Sequence, residues 1–353
     1  RPSEVRPGAL RVPTGIVDRF PTRTGPGACI PFVPGGLEVP RKRRPPPPAG
    51  PLSHPRWWPT WIAIALLQPL ARLPLPMLRG LGRGVGAIAL RVARSRRRIA
   101  TRNLELCFPE RSPAWRRDLL RANFRATGVS ALETAVAWFR DPHDLGGRLD
   151  LIGVEHLRAA EADARGLILV GCHFVTLEVC GALLSTVADL DVVYRPNRNP
   201  VFDRIQRHGR ARRYGAVIDR ADLRTAVRRL RAGRSIWYAA DQDYGPKHSV
   251  FVPFFGIPTA TLTATARLAQ LTGAQALLID HWRDDARMRW TIRFSPVFTN
   301  FPSGDALHDA TRIANATEDA VREHPAQYLW MHRRFKTRPP GQRSVYGPGN
   351  ETT

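Results

Sequence analysis

Between Trp57 and Leu78 the chain runs WWPTWIAIALLQPLARLPLPML, 22 residues in which Arg72 is the one charge. So apolar a stretch does not lie bare in water: it crosses a bilayer, rests in its surface, or is covered by the fold. At 1.5 Å per residue a helix of this length covers a hydrocarbon core of roughly 30 Å. Trp57, Trp58 and Trp61 crowd one end, as aromatic residues do at headgroup level. Pro59, Pro69, Pro74, Pro76 and Arg72 all disturb a continuous helix, so an interfacial anchor stands beside a spanning one. Arg79, Arg83, Arg91, Arg94 and Arg96 to Arg98 come next with hardly an acid among them. That run suits anionic headgroups better than a buried core helix, and it places the downstream chain on the cytoplasmic side. Residues 51–98 are therefore expected to form a membrane anchor and a basic juxtamembrane segment.

The remaining composition narrows the partners. With 353 residues, 43% of them hydrophobic, the chain is long enough for a sizeable core. A net charge of +24 points to a polyanion, whether nucleic acid, anionic lipid or a phosphorylated substrate. Four cysteines, Cys29, Cys107, Cys172 and Cys180, with no C-x-x-C pair, outline neither a disulfide framework nor a zinc site, and fit a reducing compartment. Residues 1–50 hold 12 of the 32 prolines and end in Arg41-Lys42-Arg43-Arg44 and Pro45 to Pro48. They show no periodicity and read as a disordered Pro/Arg-rich extension.

Downstream, 113–139 is amphipathic at helical spacing, and 154–164 reads as a second helix. Leu167 to Val170 is a short apolar run after Gly166, the pattern of a buried strand. Further strands are expected at 190–195, 235–240, 275–280 and 289–294, with helices at 176–188, 200–212, 221–232 and 261–271. Such alternation implies an α/β domain over 99–346, with a mixed, mainly parallel sheet flanked by helices and a site beyond the carboxyl ends of its strands. Residues 347–353 are left as a tail.

At the end of the first strand stands Gly171-Cys172-His173-Phe174-Val175-Thr176-Leu177-Glu178. A histidine in the loop before a helix, with a glutamate five residues on, supplies a base and an acid to orient it. Spacing alone is weak support, since about one His-x4-acid match is expected by chance and His156 to Glu161 is another. The strand end is what sets His173 apart. Cys172 beside it raises a covalent acyl-enzyme route, but neighbours on a strand point to opposite faces, so direct transfer is preferred.

The ordered blocks HPRWWPTW (54–61), RNLELCFPE (102–110), LETAVAWF (132–139), GCHFVTLE (171–178), YRPNRNP (194–200), WYAADQDYGPKHSVFVPFF (237–255) and EHPAQYLWMHRRFKTRP (323–339) resemble the late acyltransferases of lipid A biosynthesis, the lauroyl and myristoyl transferases. The resemblance implies an acyltransferase-like fold at the cytoplasmic face of a bacterial inner membrane. It also implies a donor thioester on acyl carrier protein, a Kdo-bearing lipid A precursor as acceptor, and no cofactor or metal. On it, His173 is the general base and Glu178 its orienting acid. Arg210 and Asp241 take the places of a further arginine and aspartate of the family pattern. Arg210 stabilises the oxyanion or holds a substrate phosphate, and Asp241 orients Arg210 or the acceptor. The basic run containing Arg333, Arg334, Lys336 and Arg338 is a candidate phosphate or carrier-protein contact. Its bland reading is a solvated face, and that of Arg210 and Asp241 is a buried ion pair.

Three other readings fit less. A glycerolipid acyltransferase usually presents aspartate where Glu178 stands. A nucleic-acid-binding protein explains the charge but not the Trp57 to Leu78 segment, and no nucleic acid partner is expected. A membrane scaffold without chemistry leaves the set of His173, Glu178, Arg210 and Asp241 without a purpose.

Overall fold

A computed structural model describes residues 52–347, so the expected N-terminal extension and the end of the tail lie outside the described residues. Four helices come first: α1 (Trp58–Leu70), α2 (Leu75–Val92), α3 (Arg94–Cys107) and α4 (Pro113–Phe139). The chain then alternates through β1 (Leu149–Ile152), α5 (Val154–Ala162), β2 (Leu167–Gly171), α6 (Leu177–Leu184), β3 (Leu190–Tyr194), α7 (Pro200–Ala211), β4 (Val217–Asp219), α8 (Leu223–Arg231) and β5 (Ser235–Ala239). It ends with a hairpin of β6 (Ser249–Phe254) and β7 (Ile257–Leu262), then α9 (Ala264–Thr272), β8 (Gln275–Asp284), β9 (Arg289–Phe294) and α10 (Ala306–Glu323).

The main sheet has the order β1-β9-β8-β2-β5-β3-β4, and β8 with β9 is its one antiparallel pair. This is the mixed, mainly parallel sheet the alternation predicts. β2 lies between β5 and β8, parallel to both, and all five of its residues are buried, which is why the segment is apolar throughout. Strand alternation divides the core in two. Ile168, Val170, Ile236 and Leu278 pack on the α10 side, while Leu167, Leu169, Leu277 and Ile279 pack on the α6 side with Val179 and Leu183.

The hairpin was hidden by Pro253 and Pro258, residues that argue against a strand. They stand directly opposite one another in the register, on a rung that needs neither N–H.

The expected single apolar helix over Trp57 to Leu78 is two helices. Pro74 disfavours helical geometry at Leu73, and the chain turns over 71–74 before α2 begins. Among the described residues no helix is long and apolar enough to cross a membrane, so the spanning reading does not hold there. What the segment builds is one-sided. Trp58, Ile62 and Leu66 on α1 and Met77, Leu81, Val85, Ile88 and Val92 on α2 are exposed, recurring every three or four residues.

The opposite face of α2 is small. Gly82 and Gly86 lie so close to α4 that a Cβ on Gly128 would stand 2.2 Å from the Gly82 carbonyl oxygen and 2.4 Å from the Gly86 nitrogen. Small residues let the two backbones touch, while Leu75 and Leu78 are buried and Met77, Leu81, Val85, Ile88 and Val92 are left outside. Gly128→Val is therefore expected to destabilise the fold by about 1–3 kcal/mol through overpacking. A fall in the thermal unfolding midpoint in detergent checks this, with Gly84→Ala, which meets open space inside the same helix, as the control expected to hold or slightly raise it.

Candidate active site

Cys172 to Thr176 form the loop between β2 and α6, at the carboxyl end of the central strand. The C-terminal segment pins it from outside. Leu329 N–H donates to the His173 carbonyl at 3.0 Å, and Val175 N–H donates to the Gln327 carbonyl at 2.7 Å. Asn123 of α4 in turn donates to the carbonyls of Ala326 (2.9 Å) and Tyr328 (2.7 Å), so the loop is braced through two layers.

Asp241 follows β5, the parallel neighbour of β2, so both chains deliver their next residues to the same end of the sheet. Its carboxylate takes two hydrogen bonds from one residue: the His173 backbone N–H donates to Oδ2 at 2.7 Å, and imidazole Nδ1 lies 2.5 Å from Oδ1. A carboxylate is only an acceptor, so Nδ1 carries the proton and Nε2 presents a lone pair. The His173 side chain keeps 19% of its surface exposed while that of Asp241 keeps 2%. A reachable base thus stands on a buried acid. Burial would raise the Asp241 carboxyl, but attraction to the His173 ring and the two hydrogen bonds from that residue outweigh it and hold it at about 2. Trp237 meets the imidazole edge-on at 6.1 Å, and it lies over Gly171 so closely that a Cβ there would stand 2.2 Å from the indole nitrogen. The glycine before the loop makes room for that ring.

Glu178 is elsewhere engaged. It sits in the first turn of α6 and accepts from Trp138 Nε1 of α4 at 3.1 Å, from Gln206 Nε2 at 3.3 Å and from the Arg210 guanidinium, the latter two on α7. Burial opposes its charge, yet Arg210 outweighs burial and lowers the carboxyl. The sequence pairs His173 with Glu178 and sets Asp241 to orient Arg210 or the acceptor. The structure exchanges the partners: Asp241 holds His173, and Glu178 holds Arg210. A one-dimensional spacing cannot report this, because Asp241 arrives from 68 residues away through strand pairing.

Of the C-terminal basic run, Arg334 is 4% exposed and donates to the Ala260 carbonyl (2.8 Å) and the Thr261 hydroxyl (3.1 Å), with its guanidinium over Phe254. It fastens the hairpin and is not free for a solute, against expectation. Arg338 donates to the Pro258 carbonyl and to Gln342. Arg333 and Lys336 remain at the surface, Lys336 3.8 Å from Asp243. Cys172 is fully buried on the α10 side, its Sγ 3.8 Å from the Thr317 hydroxyl, and burial pushes the thiol far up, so it offers no thiolate for a covalent route. Among the described residues no three His, Cys, Asp or Glu side chains gather as a metal site would need.

Trp138, Gln206 and Trp237 are site residues that spacing did not single out. Trp138 and Trp237 lie inside the LETAVAWF and WYAADQDYG blocks, and that was their signal.

A partly exposed imidazole at the carboxyl end of the central strands, backed by a buried carboxylate, is an arrangement able to take a proton from a hydroxyl or a similar weak acid. The chain matches the family model "Bacterial lipid A biosynthesis acyltransferase" over residues 49–337. It is 41% identical over 297 residues to the lipid A biosynthesis lauroyltransferase of Escherichia coli (strain K12), covering 84% of this chain and 97% of that one. To the palmitoleoyltransferase of the same strain it is 37% identical (83% and 96% covered), and to the myristoyltransferase 31% (83% and 91%). The chain belongs to the lipid A biosynthesis acyltransferase family and is an acyltransferase.

Proposed function

We propose that this enzyme moves a fatty acyl group from an acyl carrier protein thioester to a hydroxyl on a hydroxyacyl chain of a Kdo-bearing lipid A precursor, with His173 as general base and Asp241 as the acid behind it. The observation that carries the reading is the double hydrogen bond from one residue to the buried Asp241, which fixes the tautomer and leaves Nε2 reachable. The acceptor hydroxyl gives its proton to Nε2 as its oxygen attacks the thioester carbonyl carbon. Asp241 stabilises the imidazolium that forms. When the tetrahedral adduct collapses, the carbon–sulfur bond breaks and the thiol leaves with that proton. General-base help of this kind is worth about 10²–10⁴ in rate. Arg210, held by Glu178, contributes positive charge toward the oxyanion or a substrate phosphate.

The exposed apolar stripes of α1 and α2 rest in the membrane interface, with the arginines around them against anionic headgroups, at the cytoplasmic face of the inner membrane. That arrangement suits an acceptor whose acyl chains lie in a bilayer.

The test is a transfer assay on membranes holding the full chain, with the phosphorylated Kdo-lipid A precursor and a panel of acyl carrier protein thioesters. A product heavier by one acyl group is expected. Transfer to a glycerol phosphate in its place would overturn the acceptor assignment.

A further inference from the structure

A second histidine, His332, is tied to both flanks of the His173–Asp241 pair. Leu329 N–H donates to the His173 carbonyl at 3.0 Å, and His332 N–H donates back to the Leu329 carbonyl at 3.2 Å. From the other side Asp243, two residues after Asp241, donates its backbone N–H to His332 Nε2 at 3.3 Å. Asn103 of α3 holds the backbone there, donating to the carbonyls of Trp330 (2.7 Å) and His332 (2.8 Å). The partly buried ring is thus fixed beside the pair, and Asp241 and then His173 are the ionisable groups that act on it most strongly.

A backbone N–H needs an acceptor, so Nε2 carries the lone pair and Nδ1 the proton. Burial pushes the ring down to about 4 against the pull of Asp241, so it is neutral at neutral pH. Among the described residues Nδ1 meets no acceptor, and it is not enclosed, so its N–H is open to a bound solute. The turn after Asp241 does not depend on the histidine. The Asp243 carboxylate already accepts from Gly245 N–H (2.8 Å), Thr337 N–H (2.6 Å) and the Thr337 hydroxyl (2.8 Å). Arg210, meanwhile, is engaged by Glu178.

We propose that His332 is a further catalytic residue, donating its Nδ1–H to the thioester carbonyl oxygen as attack turns that oxygen into an oxyanion. The inference rests on the acyl-transfer reading above and deepens it. Attack forms the bond from the acceptor oxygen to carbon and moves the carbonyl π electrons onto oxygen. His332 holds that oxygen by a hydrogen bond and keeps its own proton. On collapse the carbonyl re-forms and the sulfur leaves with the proton that His173 took. A neutral imidazole suits the task. A donor fixed beforehand costs no reorganisation, and with its lone pair engaged by Asp243 it does not compete with His173 for the acceptor's proton.

Two substitutions separate this role from a structural one, in the transfer assay on membranes holding the full chain. Glutamine places a carbonyl where Nε2 stands and keeps the Asp243 contact, but has no N–H at the Nδ1 position. Asparagine puts an amide NH₂ at the Nδ1 position and gives up Asp243. His332→Gln is expected to lose about 10²–10³ in kcat with KM little changed, the cost of removing an oxyanion donor. His332→Asn is expected to keep about tenfold more kcat than His332→Gln. Independently of turnover, the isotope-labelled carbonyl stretch of an acyl carrier protein thioester bound without acceptor should lie below that of the free thioester in wild type. In His332→Gln it should return to the free value. A His332→Gln enzyme as fast as wild type, a His332→Asn enzyme as slow as His332→Gln, or the same carbonyl stretch in wild type and His332→Gln overturns the assignment. Should wild type transfer from no donor, the transfer reading fails and this role with it. An active wild type beside an equally active His332→Gln fails this role alone.

Discussion

His173→Ala is expected to lower kcat/KM for acyl transfer by roughly 10²–10⁴, the range general-base removal commands, with expression and membrane association unchanged. The loss is expected mainly in kcat, because the imidazole acts on the proton in flight and not on the resting substrates. His173 holds the Leu329 N–H through its backbone carbonyl, a bond alanine keeps, so the loop stays pinned. His173→Gln offers an amide in place of the base and should fare no better. Retention of more than a tenth of wild-type kcat would remove His173 from the role given to it.

The largest expected effect on stability lies away from the chemistry. Glu133 of α4 is buried and accepts from Arg283 Nη1 at 2.6 Å and from Trp290 Nε1 at 3.1 Å. Arg79 of α2, 2% exposed, stacks on the same Trp290 with its guanidinium 5.1 Å from the ring centroid, and donates to the Asp284 carbonyl at 3.3 Å. Asp285 accepts from Arg283 Nε at 2.7 Å and stands 3.8 Å from Arg79, so Glu133 and Asp285 together offset two buried guanidinium groups where α2, α4 and the β8–β9 hairpin meet. Glu133→Ala removes the buried member of that pair of acids and leaves only the half-exposed Asp285 against two buried guanidinium groups, and the expected loss is about 3–5 kcal/mol. That is a large part of the roughly 5–15 kcal/mol that keeps a domain folded. Equilibrium unfolding in denaturant with detergent reads it as a lower midpoint. Glu133→Leu combined with Arg283→Met removes both members of the central pair and should recover much of the loss. A double variant no better than Glu133→Ala would show that shape, not charge, sets the stability there.

The sequence located the site better than it wired it. A buried strand ending in Gly-Cys-His is legible from an apolar run and a glycine, and the structure puts His173 in the loop before α6 as that pattern requires. Glu178 is near His173 in the chain, whereas Asp241 is near it only across the β2–β5 ladder. A signal existed. Asp241 comes just after the predicted strand at 235–240, and residues just past the ends of parallel neighbours share a neighbourhood. The anchor shows the other kind of failure. Mean hydropathy says that Trp57 to Leu78 is apolar but not which side is covered, and the answer lay in glycine spacing. Gly82 and Gly86, one turn apart, mark the face of α2 that a neighbouring backbone occupies. Arg334 could not be told from Arg333 by composition, and the structure buries the one and exposes the other.

Everything proposed for the chemistry turns on the imidazole being held by Asp241 and not by Glu178. The direct measurement is Asp241→Asn beside Glu178→Gln in the same transfer assay, read as kcat across pH. Asn offers its amide NH₂ or its carbonyl where the carboxylate stood, so it no longer enforces the Nδ1–H tautomer or stabilises the imidazolium. In a histidine–aspartate pair of the same logic that change costs about 10⁴ in kcat. The prediction is a fall of that order for Asp241→Asn, with a smaller loss for Glu178→Gln whose pH profile keeps the wild-type shape. A Glu178→Gln enzyme that loses the basic limb while Asp241→Asn keeps it would contradict the assignment.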